Sequence, residues 1–584
     1  MPSHMPTHIS AGRTLAALAA LSLLLALGAC STDEPASDAP ATEVATDTRS
    51  VTHAGNDRVP EGAAWTQHYF PSSDGSDVEL HADVLLPEDL AEGEQVPVIL
   101  SVGTYSGHSG ELAVEDLGHT GPSGRFTDLV EGADLFDRGY ALVMVDLRGF
   151  GGSTGCLDFM GAGEQADVAA AIDWAATQPW STGAVGMYGK SYDAITGLVG
   201  TVLDPEPLRA VVAQAPMWDL HRSMRSNGVP RSPIVDTSRS YNEMAKLPAM
   251  PDDDERYQAN AAYEADNPEC EVANSSGYRT ADPESEYWTV RDLAVRAEGT
   301  DTPLFVTQGF LEVITEADGV EEFLANHEGP QRGWLGQWDH VRGNDRDAED
   351  RLAMGRDGWF DEVMSFYDLY LKDVEPSVEY PAFSVQDSAG EWRALDTWPA
   401  ADGAVAVPLG AGSYVDDGAE GDPAVETGNS YVQWSEPLTE TTRITGTPRV
   451  SLDATGHGNV MVRLYDVAPD GTAVLFDDEV STLTTGTTAV ELRSTDWTLA
   501  AGHHLAVEIG TIESGVFSNW IDTPSNQTIE VTGGQLDLAL DDPADDVATD
   551  GEPSVFMETY AAVSTVPLVI GTPSFTVPTV TAGP

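Results

Sequence analysis

The stretch Gly186-Met187-Tyr188-Gly189-Lys190-Ser191-Tyr192-Asp193 constrains this 584-residue chain more than any other, because it sets a serine on a tight turn between a short apolar run and a helix. Upstream, Val168, Ala171, Ile172 and Ala175 recur at helical spacing. Thr182-Gly183 then breaks the pattern before the apolar run Val185 to Tyr188. Strand, turn and helix follow in order, an arrangement that lifts a hydroxyl to the head of a sheet. Asp193 stands where the second glycine of a Gly-x-Ser-x-Gly turn belongs. A bare Gly-x-Ser is common, so the reading depends on what accompanies it.

Tyr140 to Asp146 is a continuous apolar run of the kind a two-sided parallel sheet buries, and it leads into the glycine-rich Leu147-Arg148-Gly149-Phe150-Gly151-Gly152-Ser153. Val78 to Leu86 alternates and is expected as an outer strand, with Val98 to Val102 as a buried one ending at Gly103-Thr104-Tyr105. Pro303 to Gly309 predicts another buried strand with Glu312 just past its end, and Gly333 to His340 a last short strand ending in histidine. The chain order is Ser, acid, His, each at the carboxyl end of a predicted strand, where open α/β sheets place their sites. These elements predict an α/β-hydrolase core.

The elbow Gly189-Lys190-Ser191-Tyr192-Asp193, the Asp146-Leu147-Arg148-Gly149 turn, Gly309-Phe310-Leu311-Glu312 and Trp338-Asp339-His340-Val341-Arg342-Gly343 resemble the Xaa-Pro dipeptidyl-peptidase and cocaine-esterase-like (CocE/NonD) serine hydrolases. The likeness covers roughly the whole mature chain. It implies three pieces: a mostly parallel α/β-hydrolase core, a helical cap inserted after the elbow, and a C-terminal all-β jelly-roll domain. The family includes peptidases, β-lactam acylases and esterases, so it fixes the chemistry better than the substrate. The predicted layout is a leader over 1–29, an acidic tether over 30–58, core over 59–216, cap over 217–300, core again over 301–376 and jelly roll over 377–584. Weak apolar periodicity from Met217 to Thr300 marks the cap. An amphipathic helix from Trp359 to Leu371 covers the core with Phe360, Val363, Met364, Phe366, Tyr367 and Tyr370. Short alternating strands beyond Pro381, such as Val460 to Tyr465 and His504 to Ile509, mark the β domain.

Ser191 is a weak nucleophile at its free pKa, so His340 is expected to take its proton and Glu312 to hold the imidazole. Glu316 and Asp318 are rival acids, placed deeper into a following helix, and Asp339 is expected to face solvent or loop backbone. The oxyanion donors are expected to be the backbone N–H of Tyr192 and, by resemblance, the hydroxyl of Tyr105. His108 and His119 precede the serine and are expected as loop or supporting histidines. Lys190, in a chain with only three lysines, is expected to buttress the elbow through an ion pair with Asp193 or Glu312. A peptidase needs an acid for the substrate amine, and Asp252, Asp253, Asp254 and Glu255 in the cap are candidates.

Met1 to Ala29 carries Arg13, the apolar stretch Leu15 to Leu27, and Leu27-Gly28-Ala29-Cys30, the pattern of a bacterial lipoprotein signal with Cys30 as the lipidated residue. At about 13 residues the apolar stretch is short for a membrane span, so the membrane is expected to be reached by lipid anchor, with plain secretion as the alternative. With Cys30 lipidated, Cys156 and Cys270 remain as a pair in an oxidising compartment, and a disulfide between the Cys156 loop and the cap is expected. Cysteine spacing excludes a cysteine zinc site; no metal or cofactor is expected.

Asp plus Glu number 96 against 28 for Lys plus Arg, a formal charge of −68, which repels polyanions and excludes nucleic acid as a natural partner. A surface so acidic and lysine-poor also stays hydrated in high salt. The sequence leaves oligomeric state open. It predicts an extracytoplasmic serine hydrolase acting on a small peptide or ester through an acyl-enzyme, Xaa-Pro dipeptidyl-peptidase-like first, carboxylic-ester hydrolase or acylase second. A catalytically inactive surface binding protein is the reading from another class.

Overall fold

The computed structural model describes residues 56–110, 118–231, 233–418, 429–513, 520–521 and 523–580; the expected leader, Cys30 and nearly all of the tether lie outside them. The first strands are β1 (Ala63–Pro71), β2 (Glu79–Pro87), β3 (Val96–Gly103), β4 (Ala141–Asp146), β5 (Ser181–Lys190) and β6 (Leu208–Gln214). After a two-residue hairpin, β7 (Arg225–Ser226) and β8 (Val229–Pro230), come β9 (Leu304–Gly309), β10 (Gln331–Gly336), β11 (Phe383–Gln386) and β12 (Trp392–Leu395). With β23 (Val547–Ala548) they form one sheet in the order β1-β2-β4-β3-β5-β6-β9-β10-β11-β12-β23. From β4 to β11 all neighbours are parallel. Every residue of β3, β4 and β9 is buried, which is why these segments are mostly apolar and do not alternate.

Helices α1 (Thr127–Gly132), α2 (Ala162–Ala176) and α3 (Tyr192–Leu203) connect the first strands. Seven helices fill the stretch between β6 and β9: α4 (Leu220–Met224), α5 (Pro233–Met244), α6 (Glu255–Ala261), α7 (Tyr263–Asp266), α8 (Glu269–Tyr278), α9 (Glu286–Thr289) and α10 (Leu293–Arg296). Cys270 on α8 is disulfide-bonded to Cys156 with their Cα atoms 5.1 Å apart, tying this helical insert to the loop after β4. Then follow α11 (Val320–Asn326) and α12 (Trp359–Lys372).

The remaining strands are β13 (Gly403–Leu409), β14 (Gly412–Val415), β15 (Ser430–Trp434), β16 (Thr442–Thr455), β17 (Gly458–Val467), β18 (Thr472–Leu483), β19 (Gly486–Glu491), β20 (Thr495–Leu499), β21 (His504–Gly510), β22 (Thr528–Asp541) and β24 (Thr565–Pro567). They build two antiparallel sheets, β13-β22-β16-β19 with β14 and β20 alongside, and β15-β21-β17-β18-β24. One apolar core joins them, with Ile444, Val450 and Leu452 from the first sheet against Val460, Val462 and Leu464 from the second.

Two expectations are corrected. The stretch Val78 to Leu86 is not the outer strand: β2 lies second in the sheet, covered by β1, and is buried along nearly its whole length. The strand before the histidine is neither last nor long enough to contain it, since β10 stops at Gly336 and His340 lies on the following loop. Beyond residue 376, β11, β12 and β23 extend the large sheet. The α12 residues expected to cover the core do so, Phe360 and Tyr370 as half-buried rings packed at its edge.

Candidate active site

Ser191 sits between β5 and α3 with φ 64° and ψ −125°, a strained left-handed conformation for a residue with a side chain. The turn closes so tightly that a Cβ on Gly189 would collide with the backbone of Asp193, which explains the glycine two residues before the serine. Asp193 is tolerated at the other glycine position because the adjoining strand carries Gly103, whose missing side chain leaves the space that the Asp193 carboxylate fills. The expected ion pair of Lys190 with Asp193 or Glu312 is not formed. Arg125 takes the buried Asp193 instead, with Nε 2.8 Å from Oδ2, and its Nη2 donates to the Lys190 carbonyl. Among the described residues Lys190 makes no ion pair, and burial together with Arg125 pushes its pKa down to about 8.

The expected acid and histidine meet. Glu312 follows β9 and His340 follows β10, adjacent parallel strands, and His340 Nδ1 lies 2.5 Å from Glu312 Oε1. Glu312 is fully buried, and Thr315 donates to the same carboxylate oxygen from its N–H and hydroxyl. Burial would raise the Glu312 pKa, but His340 and the Thr315 donors outweigh it and hold the carboxyl below its ordinary value. An ionised Glu312 accepts from Nδ1–H and leaves Nε2 of a neutral ring as the base. Ser191 and His340 are not hydrogen-bonded to each other in this conformation, a contact that often tightens only around substrate.

The rival acids are elsewhere. Glu316 and Asp318 lie in the turn before α11, not within a helix, and Glu316 is paired with the buried Arg231. Asp339 is half-buried beside His340, and burial raises its carboxyl pKa. Tyr105 stands at the serine: its hydroxyl reaches the Ser191 side chain and lies 2.5 Å from the Tyr241 hydroxyl of α5. Burial raises its pKa, so it stays a phenol and a donor. The Tyr192 amide opens α3, where first-turn N–H groups have no intrahelical acceptor.

The expected amine-binding acids of the cap are not at the site. Asp254 caps α6, Asp252 accepts from the Thr120 N–H, and buried Asp253 accepts from the Met250 N–H and contacts His108; Glu255 opens α6. Both histidines lie on loops as expected: His108 is fully buried against Asp83 and Asp253, whereas His119 is half-exposed beside Asp57.

Three residues that position the site are absent from the sequence-based reading. Gln214, at the end of β6, accepts the Ser191 N–H on its carbonyl and the Gly343 N–H on its side chain, linking elbow to histidine loop. Its only sequence signal is its position at a strand end. Glu164 on α2 accepts from the N–H groups of Asp158, Phe159 and Met160 and from the Tyr192 hydroxyl, at 2.6 to 3.0 Å. It thereby holds Phe159 and Met160, both at positive φ, against the serine. Tyr241 is the third.

A cavity of about 210 Å³ opens onto Ser191, walled by Phe159, Met160, Met217, Leu220, Met224 and Ile314 among others, and no carboxylate lines it among the described residues. The chain matches the X-Pro dipeptidyl-peptidase (S15 family) profile over residues 74–342 and the X-Pro dipeptidyl-peptidase C-terminal non-catalytic domain over 372–536. A Streptomyces avermitilis protein named "Putative Xaa-Pro dipeptidyl-peptidase" is 23% identical over 454 residues, 68% of this chain and 63% of its own length, so the chain spans less than two thirds of that relative. The fold is shared with an α-amino-acid ester hydrolase, at TM-score 0.62 and 18% identity over 86% of this chain and all of that one. It is shared also with a CocE/NonD family hydrolase from Staphylococcus aureus, at TM-score 0.59 and 16% identity over 82% and 94% of the two chains. With both profiles matched in order along it, the chain belongs to the X-Pro dipeptidyl-peptidase (S15) family of serine hydrolases.

Proposed function

We propose that this protein cleaves esters or amides of an apolar acyl group through an acyl-enzyme on Ser191. The apolar wall of the cavity at the serine, together with the Glu312–His340 pair, carries this reading. His340 Nε2 takes the Ser191 proton as the hydroxyl oxygen adds to the substrate carbonyl. Tyr105 and the Tyr192 amide then donate to the developing oxyanion. The same proton passes to the leaving alcohol or amine, and water repeats the sequence to release the acid. A cationic ammonium beside the scissile bond would be desolvated against Met217, Leu220, Met224 and Ile314, a cost that no carboxylate offsets among the described lining residues.

Xaa-Pro dipeptide release is the second reading, favoured by the family match. Initial rates on an aryl ester of an apolar acid, its N-acyl-aminoacyl analogue and an Ala-Pro anilide separate the two. Ester and N-acyl turnover far above the free-amine peptide is expected, and the reverse order overturns the apolar-acyl reading. Labelling by a fluorophosphonate, lost in Ser191→Ala, is expected in either case; an unlabelled wild type would point to the inactive binding protein.

An extracytoplasmic, lipid-anchored location is part of the proposal. The Leu27-Gly28-Ala29-Cys30 pattern and the Cys156–Cys270 disulfide, a bond that persists in oxidising compartments, support it. No helix among the described residues is long and apolar enough to cross a membrane. Metabolic labelling with a fatty-acid analogue should mark the wild type and not Cys30→Ser.

A further inference from the structure

The glycine-rich turn after β4 takes no part in the chemistry at Ser191, and its surroundings give it another purpose. It folds over Asp146, whose Oδ2 accepts the Gly152 N–H at 2.9 Å. A side chain on Gly151 would collide with the Asp146 carboxylate, and one on Gly152 with the His81 and Tyr257 rings, each 2.6 Å from a Cβ there. The turn therefore packs backbone against a buried group of titratable residues.

That group has the donor set of a metal centre. His81 and Asp83 lie two residues apart on β2, so they share one face of the strand, and His108 comes from the loop after β3. All three are at most 1% exposed, and one ligand atom from each lies within 4.8 Å of the others. His81 Nδ1 is 2.9 Å from Asp146 Oδ2, and His108 Nδ1 is 2.6 Å from Asp253 Oδ1. Ionised carboxylates only accept, so each Nδ1 carries a proton, and both rings turn Nε2 toward Asp83. His108 Nε2 lies 3.3 Å from Asp83 Oδ2, an oxygen that receives no hydrogen bond, and His81 Nε2 lies 3.9 Å from Asp83 Oδ1. Gln67 Oε1, 3.2 Å from His81 Nε2, adds a neighbouring oxygen.

Ring nitrogens and carboxylate oxygens converging in a dry interior need a proton or a metal cation between them, and His108 Nε2 also lies 3.4 Å from Asp83 Oδ1. Separations near 3.3 Å are about those between ligand atoms of a tetrahedral zinc ion. A ligating histidine whose other nitrogen is held by a carboxylate is the usual support for such an ion. We propose that His81, Asp83 and His108 form a closed structural site for a divalent transition-metal ion, with zinc as the ion of first choice. Through Asp253, the ion fixes the cap against the sheet.

The competing occupant is a proton on His108. Burial lowers the basicity of this ring, but Asp83 and Asp253 outweigh that and push its pKa up to about 10. Zinc content of the tag-free full-length chain, grown with zinc and dialysed without chelator, distinguishes the two. About one zinc per chain is expected in the wild type and in Ser191→Ala, and less than about a tenth in His81→Gln and Asp83→Asn. Should those variants fail to fold, refolding the oxidised wild-type chain decides, with zinc expected to raise its yield and unfolding temperature over a chelator control. Zinc retained in folded His81→Gln and Asp83→Asn, or a zinc-free wild type that refolds equally well in chelator, overturns the site and leaves the proton in place.

Discussion

The parallel core and the C-terminal sandwich place their buried charges differently. In the core, strands such as β4 and β9 are buried throughout and mostly apolar, and Ser191, Glu312 and His340 lie beyond the carboxyl ends of β5, β9 and β10. In the sandwich the strands alternate, as β13 and β22 show, and the buried charges sit on the seam with the core. Arg393 of β12 grips Asp496 of β20 with two hydrogen bonds of 2.7 and 2.9 Å, while Arg443 of β16 faces Asp387, Asp541 and Asp546. The two arrangements are joined. The Asp496 carbonyl accepts from Gln337, three residues before His340, and Leu311, beside Glu312, is packed in the sandwich core. The β domain therefore holds two of the three reacting loops, and its charges act in positioning rather than chemistry.

The largest effect expected from breaking this division is at the acid. Glu312→Gln should lower kcat by about 10³- to 10⁴-fold with the unfolding temperature nearly unchanged, because the imidazole loses its partner and preferred tautomer. Equal losses of rate and stability would show that Glu312 only packs. At the seam the pattern should invert. Asp496→Ala removes both hydrogen bonds of Arg393, leaving it the longer pairs to Asp546 at 3.5 Å and Asp541 at 3.9 Å, and should cost about 2–3 kcal/mol in denaturant unfolding. Any rate change should follow from displacement of the Gln337–His340 loop, visible as reduced kcat with KM unchanged.

Tyr105→Phe, measured on an ester whose acylation limits the rate, should cost about 10²- to 10³-fold in kcat with little change in KM. Tyr241→Phe, which removes only the hydroxyl bonded to Tyr105, should cost less. The smallest effect tests the seam by pH. Burial raises Asp477 from 3.8 to about 8, so its protonated form is favoured on folding. Its contribution to stability is complete below pH 3.8 and disappears as pH rises through about 8. Asp477→Asn should therefore flatten the decline of unfolding free energy across that window, and parallel curves for variant and wild type would remove the assignment.

Much of the core was legible because burial on both faces of a parallel sheet leaves uninterrupted apolar runs, and because a serine at a strand end needs Gly189 before it. The Glu312–His340 pair was legible from chain order, two predicted strands and the family resemblance together, although His340 lies on the loop beyond β10. The pairing of Asp193 was not: Arg125 lies 68 residues away, and only the fold shows that Gly103 makes room for the carboxylate. The cap acids misled because adjacent carboxylates look alike in sequence, while Asp252, Asp253 and Asp254 each receive backbone donors far from the serine. That β11 and β12 join the large sheet was not legible, because strand pattern does not say which sheet a strand joins.

Sequence by itself determined the elements and the order of the chemistry, since periodicity and turn residues act over a few positions. Tertiary structure decided which charges meet, what walls the cavity at Ser191, and that His81, Asp83 and His108 converge. Those outcomes depend on approaches between residues far apart in the chain, where burial removes solvent screening and makes each partner's identity matter.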